Sequence, residues 1–336
     1  MPSTHRLGFT GDVMLGRQVN DAYRDGQRSP GGLWGNLQPR LRGLDGLFVN
    51  LECCLSTRGE PWPGRRFHFR ADPDWSTDAL RAATVDCCSL ANNHAMDFGP
   101  DALEDTLSAL SAVDIETVGA GRSRPAARCP AAVDCRGVTV AVVGFTDNVP
   151  GYAATDDRPG TAHVEFDPDD EASMGVLHES IAAAKQFDPD VLVAALHWGP
   201  NNRTQPLEDH RAVARKLADW DVDLVAGHSA HLFQGVEVIE RGESPTVVCY
   251  DMGDFVDDYA VDPAHRNDRS FLFELVVGSD GRLLELELTP TEIDSRAVYR
   301  ASRRGATWCR TAMRDRSAPF DTEFDRVGGG LIVPIA

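Results

Sequence analysis

Apolar runs recur along the chain, and six of them break at a side chain able to bind a metal. LGFTGD ends at Asp12, LFVNLE at Glu52, VDCCSLANNH at His94, VLVAALH at His197, DLVAGHSAH at His231 and VVCYDMGD at Asp254. Strands buried on both faces read as continuous apolar runs. In open α/β sheets, ligands sit beyond the carboxyl ends of the strands. Six such ends, carrying carboxylates, an Asn-His pair and further histidines, predict strands converging on one metal site.

The same pattern predicts strands near 5–10, 47–51, 85–90, 115–118, 131–145, 191–197, 223–227, 236–239, 246–250, 271–277 and 283–288. Between many of them lie helical stretches. In 99–112, Leu103, Leu107 and Leu110 recur at helical spacing, with Asp101, Glu104 and Asp105 placed where the helix dipole favours acids. Residues 171–187 and 205–219 repeat the pattern. Alternating strands and helices indicate an α/β fold with helices covering a sheet. Late in the chain, VEVIERGESPTVVCYDMGD and SFLFELVVGSDGRLLELELTP read as antiparallel hairpins, so a mixed sheet or two packed sheets is expected. Residues 56–75 and 147–170, rich in Pro and Gly, are candidate loops over the site. Residues 1–290 read as one domain. Residues 291–336 lack a strong period and are left as a C-terminal extension.

Composition narrows the functions. The 336 residues carry a net charge of −19, which argues against nucleic-acid binding. Residues 1–70 are the exception, with ten Arg against six acids, a local balance that attracts an anionic substrate. No apolar run is long enough for a membrane-spanning helix, and the N-terminus lacks the charged start and apolar stretch of a signal peptide. A soluble, cytoplasmic protein is expected. The adjacent pairs Cys53-Cys54 and Cys87-Cys88 read as small buried hydrophobes, and the absence of a CxxC pair gives no zinc cluster.

The chemistry-bearing residues differ in specificity. Asp12 after Gly11, and Glu52 in VNLE, are weak signals alone. Asn92-Asn93-His94 with Asp97 is sharper: an Asn oxygen can ligate a metal, the adjacent His can act as a general acid, and Asp97 can orient it. The competing reading is a helix cap before Pro100. His197 closes an apolar run, where a histidine is often a satisfied core residue. His228 and His231, three apart in GHSAH, lie on one side of a turn and make a workable nitrogen pair. Mixed O and N donors suit Mn, Fe, Zn or Co better than Mg or Ca. So many ligands suit two cations, about 3.5–4 Å apart in two-metal sites.

GFTGDVMLGR, VNLE, FHFRADP, SLANNHAMDFG, LHWG, DLVAGHSAHLFQGVE and YDMGDF, in this order, resemble the CapA family of capsule and poly-γ-glutamate synthesis proteins, within the calcineurin-like metallophosphoesterase superfamily. The resemblance covers about residues 5–290. It implies a four-layer α/β-β-α sandwich around two divalent metal ions (Mn, Fe or Zn). It implies Asp12, Glu52, Asn93, His197, His228 and His231 as ligands, His94 as the acid, Asp97 as its support, and Arg17 and Trp198 near the substrate. The implied activity is a metal-dependent, phosphoesterase-like hydrolysis of a small anionic or polyanionic substrate. The alternative is an accessory role in polymer synthesis, binding or transferring an acidic polymer alongside partner proteins. Five positions depart from the pattern. Met14 stands where the superfamily usually has His, and Glu52 where it has Asp. Ser229 interrupts the last His motif. Asp251 and Asp254 stand where Ser and Asn are common, and Asp254 is read as a supporting residue only.

Overall fold

The computed structural model describes residues 4–241 and 244–335. Two sheets form its centre. The larger runs Ala297–Arg300, Leu283–Asp294, Arg269–Gly278, Thr4–Val13, Gly46–Leu51, Cys87–Ser89 and Glu116–Val118, with Asp254–Val256 beside Thr4–Val13 and Leu331–Pro334 beside Leu283–Asp294. The smaller runs Val236–Ile239, Thr246–Cys249, Leu224–His228, Val191–His197, Thr139–Thr146 and Ala131–Asp134.

Side-chain alternation explains why the apolar runs are continuous. In Val191–His197, Val191, Val193 and Ala195 enter the cluster between the sheets, while Leu192, Ala194 and Leu196 face the helices Glu171–Ala184 and Glu208–Asp219. In the other sheet, Phe48 points inward between the sheets, and Leu47, Val49 and Leu51 point outward. There they meet Trp34, Leu80 and Leu103 of the helical segments Pro30–Leu37, Pro73–Ala82 and Gly99–Ser111. A period of 2 on strands covered on both sides therefore produces four layers, helix–sheet–sheet–helix. This is the expected sandwich. The cysteines Cys53, Cys54, Cys87 and Cys88 are buried and unbridged within it.

The sheets are mixed. Thr4–Val13 runs parallel to Gly46–Leu51 and antiparallel to Arg269–Gly278. Val236–Ile239 with Thr246–Cys249, and Arg269–Gly278 with Leu283–Asp294, form the two expected antiparallel pairs. The run expected at 131–145 is instead a hairpin of Ala131–Asp134 and Thr139–Thr146. Arg136 and Gly137, at φ 58° and 97°, make the turn.

The boundary expected after residue 290 falls inside the strand Leu283–Asp294. Ala297–Arg300 and Leu331–Pro334 both pair with that strand. The helix Arg303–Ser317 adds Cys309 and Met313 to the cluster between the sheets. At its end the Arg316 guanidinium, 4.2 Å over the Phe233 ring, donates to the Phe233 carbonyl. Ser317 Oγ accepts from Val236 N at 2.9 Å.

Candidate metal centre

Strand register brings the candidate ligands together. Asp12, near the end of its strand, lies opposite Asn50 on one side and Asp254 on the other. His197 lies opposite His228 in the second sheet. Two glycines let the backbones close on the site. A Cβ on Gly11 would lie 2.0 Å from the Gly253 carbonyl oxygen, and one on Gly227 equally close to that of Tyr250. Gly11 thus serves a close approach of strands rather than a sharp turn. Just beyond, Ser229 and His231 hold φ values of 112° and 57°. Such strain in non-glycine residues clusters at functional sites.

The tightest group is Asp12, His231 and Asp254, whose donor atoms lie within 4.8 Å of one another. His231 Nδ1 is 2.9 Å from Asp254 Oδ1 and 3.4 Å from Asp12 Oδ2. Asn50 Nδ2 donates to Asp12 Oδ1 at 2.7 Å and lies 3.3 Å from His197 Nδ1, which ties the two sheets at this point. His228 Nε2 lies 3.0 Å from the Thr10 carbonyl. Asp251 accepts from Ala230 N at 2.6 Å and Gly253 N at 2.7 Å, so it clamps the loop bearing His231 to the loop bearing Asp254. Asn92 is consumed structurally. It donates to Asn50 Oδ1 and the Leu51 carbonyl, and accepts from His94 N.

The donor set fits divalent cations. Asp12 Oδ2, Glu52 Oε1, Asn93 Oδ1, Asp254 Oδ2 and Asp257 Oδ2 are buried oxygens without a hydrogen-bond partner. Buried polar atoms are rarely left so, and each orphan asks for a partner. Burial pushes the Glu52 and Asp254 carboxyls well above the ordinary range, with Asp12 adding to the rise at both. At Asp12 burial acts the same way, but His231, His197 and His228 outweigh it and bring the carboxyl to about 2. Burial opposes charge on His231, yet Asp254, Glu52 and Asp12 hold its pKa well above the usual value. Burial brings His197 down to about 3. His197 is thus held in the neutral form and Asp12 in the ionised form that bind a metal, whereas Glu52, Asp254 and His231 would give up protons to one.

His94 and Asp97 form a second unit. His94 Nδ1 lies 2.5 Å from Asp97 Oδ2, and Nε2 lies 3.9 Å from Glu52 Oε1. The ring stacks on Phe69 with centroids 3.8 Å apart. Burial lowers the His94 pKa against the pull of Asp97. Both candidate loops meet at Asp97. Phe69 N donates to it at 2.7 Å, Tyr152 OH at 2.9 Å, and Arg65 Nε lies 3.4 Å away. Tyr259 OH donates to Glu52 Oε2 at 3.2 Å.

Asn93, His94 and His231 open onto a cavity of about 820 Å³ whose mouth carries Arg17, Arg66 and Phe67. Arg17 pairs with Asp258 and lies 4.7 Å over Phe69 and 5.2 Å over Tyr259. Trp198 stands elsewhere. Its ring is buried against His210 with centroids 4.5 Å apart, and its Nε1 donates to the Tyr250 carbonyl. Trp198 continues the alternation of Leu192, Ala194 and Leu196, so the indole packs in the helix-facing core rather than on the cavity wall. The expectation that Trp198 sits near the substrate is therefore replaced by a core role.

Sequence reading gave Asn50, Asp251, Tyr152 and Tyr259 no role, and gave Asp254 only a supporting one. The orphaned pattern VNLE and the double acid in YDMGD carried the signal for three of them.

Residues 6–259 match the family described as bacterial capsule synthesis protein PGA_cap. A probable polyglutamine synthesis accessory protein of Mycobacterium tuberculosis is 32% identical over 287 residues, covering 82% of this chain and 73% of the relative. The PGA biosynthesis protein CapA of Bacillus subtilis is 28% identical, covering 85% and 70%. A crystal structure described as a novel phosphatase from Mycoplasma pneumoniae aligns with a TM-score of 0.51 and 13% identity, over 88% of this chain and 96% of that one, and so shares the fold. With the match extending over most of the chain, this protein belongs to the bacterial capsule synthesis protein PGA_cap family.

Proposed function

We propose that the chain is a metal-dependent, phosphoesterase-like hydrolase acting on an anionic substrate. The observation that carries this reading is the set of orphaned buried oxygens on Asp12, Glu52, Asn93 and Asp254 beside three histidines. Asp12, Glu52, Asn93, His197, His228 and His231 hold divalent ions in this reading, Mn, Fe or Zn, two in number. When bound, such ions polarise the phosphoryl oxygens and make water acidic at neutral pH. His94 presents Nε2 to the cavity side while Nδ1 is held on Asp97, so a proton on Nε2 is placed for the leaving oxygen. Asp97 fixes the ring and offsets its charge. Arg17 holds the anion at the mouth, and Phe69 and Tyr259 limit water around it.

The test combines elemental analysis of the purified protein with a panel of phosphomonoesters and diesters assayed with Mn²⁺. A metal-loaded sample that turns over none of them rejects hydrolysis. The description of the Mycobacterium tuberculosis relative as an accessory protein of polyglutamine synthesis favours a second reading. In that reading the same centre binds or transfers an acidic polymer alongside partner proteins of its synthesis. Retention of polyglutamate by the metal-loaded protein, without ester turnover, selects it.

A further inference from the structure

Resting on the metal-binding part of the reading above, we infer that Asp254 is itself a metal ligand. Together with Asp12 and His231 it builds a carboxylate-rich position whose hold on Mn²⁺ depends on that second carboxylate more than its hold on Zn²⁺ does.

Register places Asp254 for this. Asp12 and Asp254 are paired across neighbouring parallel strands, which sends both carboxylates to the same side. Each is almost wholly buried, and each keeps an Oδ2 with no hydrogen-bond partner. Among the described residues, the side chain reaching both is His231, through one nitrogen, Nδ1. A cation at that nitrogen's proton would meet three donor atoms that already lie within 4.8 Å of one another.

The nearby alternatives supply no ligand there. Met14, two residues after Asp12, is fully buried in the outer hydrophobic cluster, and its sulfur accepts from Gly16 N at 3.1 Å. Asn50 is spent between Asp12, His197 and Asn92.

Charge makes the same demand. Asp12, Glu52, Asp254 and Asp257 are all buried, and among the described residues no Lys or Arg forms an ion pair with any of them. Four carboxyl groups buried without a Lys or Arg partner are costly. A divalent ion shared by Asp12 and Asp254 would supply the missing positive charge. Zn²⁺ binds the imidazole well, whereas Mn²⁺ draws more of its affinity from carboxylates, so losing one carboxylate costs Mn²⁺ more.

The full chain, stripped by chelation and dialysed, is titrated calorimetrically with MnCl₂ and separately with ZnCl₂. Asp254→Asn removes the charge and keeps the shape. Its Mn²⁺ affinity is expected to fall roughly 100-fold, with about a tenfold or smaller loss for Zn²⁺ and a cooperative thermal transition retained. Asp254→Ser carries the same readout if the amide disturbs folding. Unchanged Mn²⁺ affinity in a folded variant, against a wild type that binds, overturns the assignment of Asp254 and leaves the metal reading standing. A wild-type protein that binds neither ion overturns both.

Discussion

His94 donates through Nδ1 to Asp97 Oδ2 at 2.5 Å, and that same carboxylate is the meeting point of both loops that cover the site. Removing the imidazole should therefore cost turnover and not metal. His94→Ala is expected to lower kcat by about 100- to 10,000-fold, with the metal content of the purified protein unchanged. Loss of bound metal in parallel with activity would place His94 among the ligands instead.

Arg17 offers a second test, of binding rather than chemistry. Its guanidinium is held over three aromatic rings and paired with a buried Asp258. Arg17→Ala is expected to raise KM for an anionic substrate by about tenfold, or about 1.4 kcal/mol, with a smaller change in kcat. Because the change strands Asp258, the double variant with Asp258→Asn should recover the lost folding stability.

Gly11 is required by contact, not by conformation. Gly11→Ala forces a methyl against the Gly253 carbonyl, a backbone group that cannot rotate away. A loss of about 2–3 kcal/mol in unfolding free energy by denaturant titration is expected. A neutral result would mean that the strands bearing Asp12 and Asp254 separate at little cost.

His210 sets a pH dependence away from the metal ligands. Burial brings its pKa to about 4, against 6.5 in the unfolded chain. The folded state keeps the ring neutral while the unfolded state takes up a proton. Stability is therefore unaffected above pH 6.5 and falls progressively between 6.5 and 4. The full effect is on the order of 3 kcal/mol. His210→Phe, which preserves the stack on Trp198, should flatten that part of the stability–pH curve. An identical slope in the variant would assign the loss to other groups.

Metal removal should be visible in stability. An ion that binds only the folded state adds about 2.7 kcal/mol at 100 times its Kd. Chelation is therefore expected to lower the thermal midpoint, and readdition of Mn²⁺ to restore it.

Much of the architecture is legible in the sequence. Val191–His197 is apolar at every position before its histidine because both faces are covered, and that pattern survives in the letters. The helix Gly99–Ser111 declares itself through Leu103, Leu107 and Leu110. The helix Arg303–Ser317 does not. Its buried positions include Arg310 and Arg316 beside Cys309 and Met313, so charge hides the stripe. The candidate residues at strand ends are legible in the same way, whereas the place of Asp254 depends on pairing with Asp12 across 242 residues of chain, a register no local pattern encodes. Trp198 misled for a related reason. Adjacency to His197 places the backbone near the site, but the alternation of side chains puts the ring on the opposite, helix-facing side.

The grip of Arg316 on the Phe233 carbonyl has a practical side. That carbonyl lies two residues beyond His231, so the tail and the loop bearing His231 share one anchor. Trimming the chain after the last family-matched residue would cut a tether on the centre, not an idle appendage. Conversely, amide exchange in the final helix becomes a remote gauge, readable far from the cavity, of how firmly that loop is held.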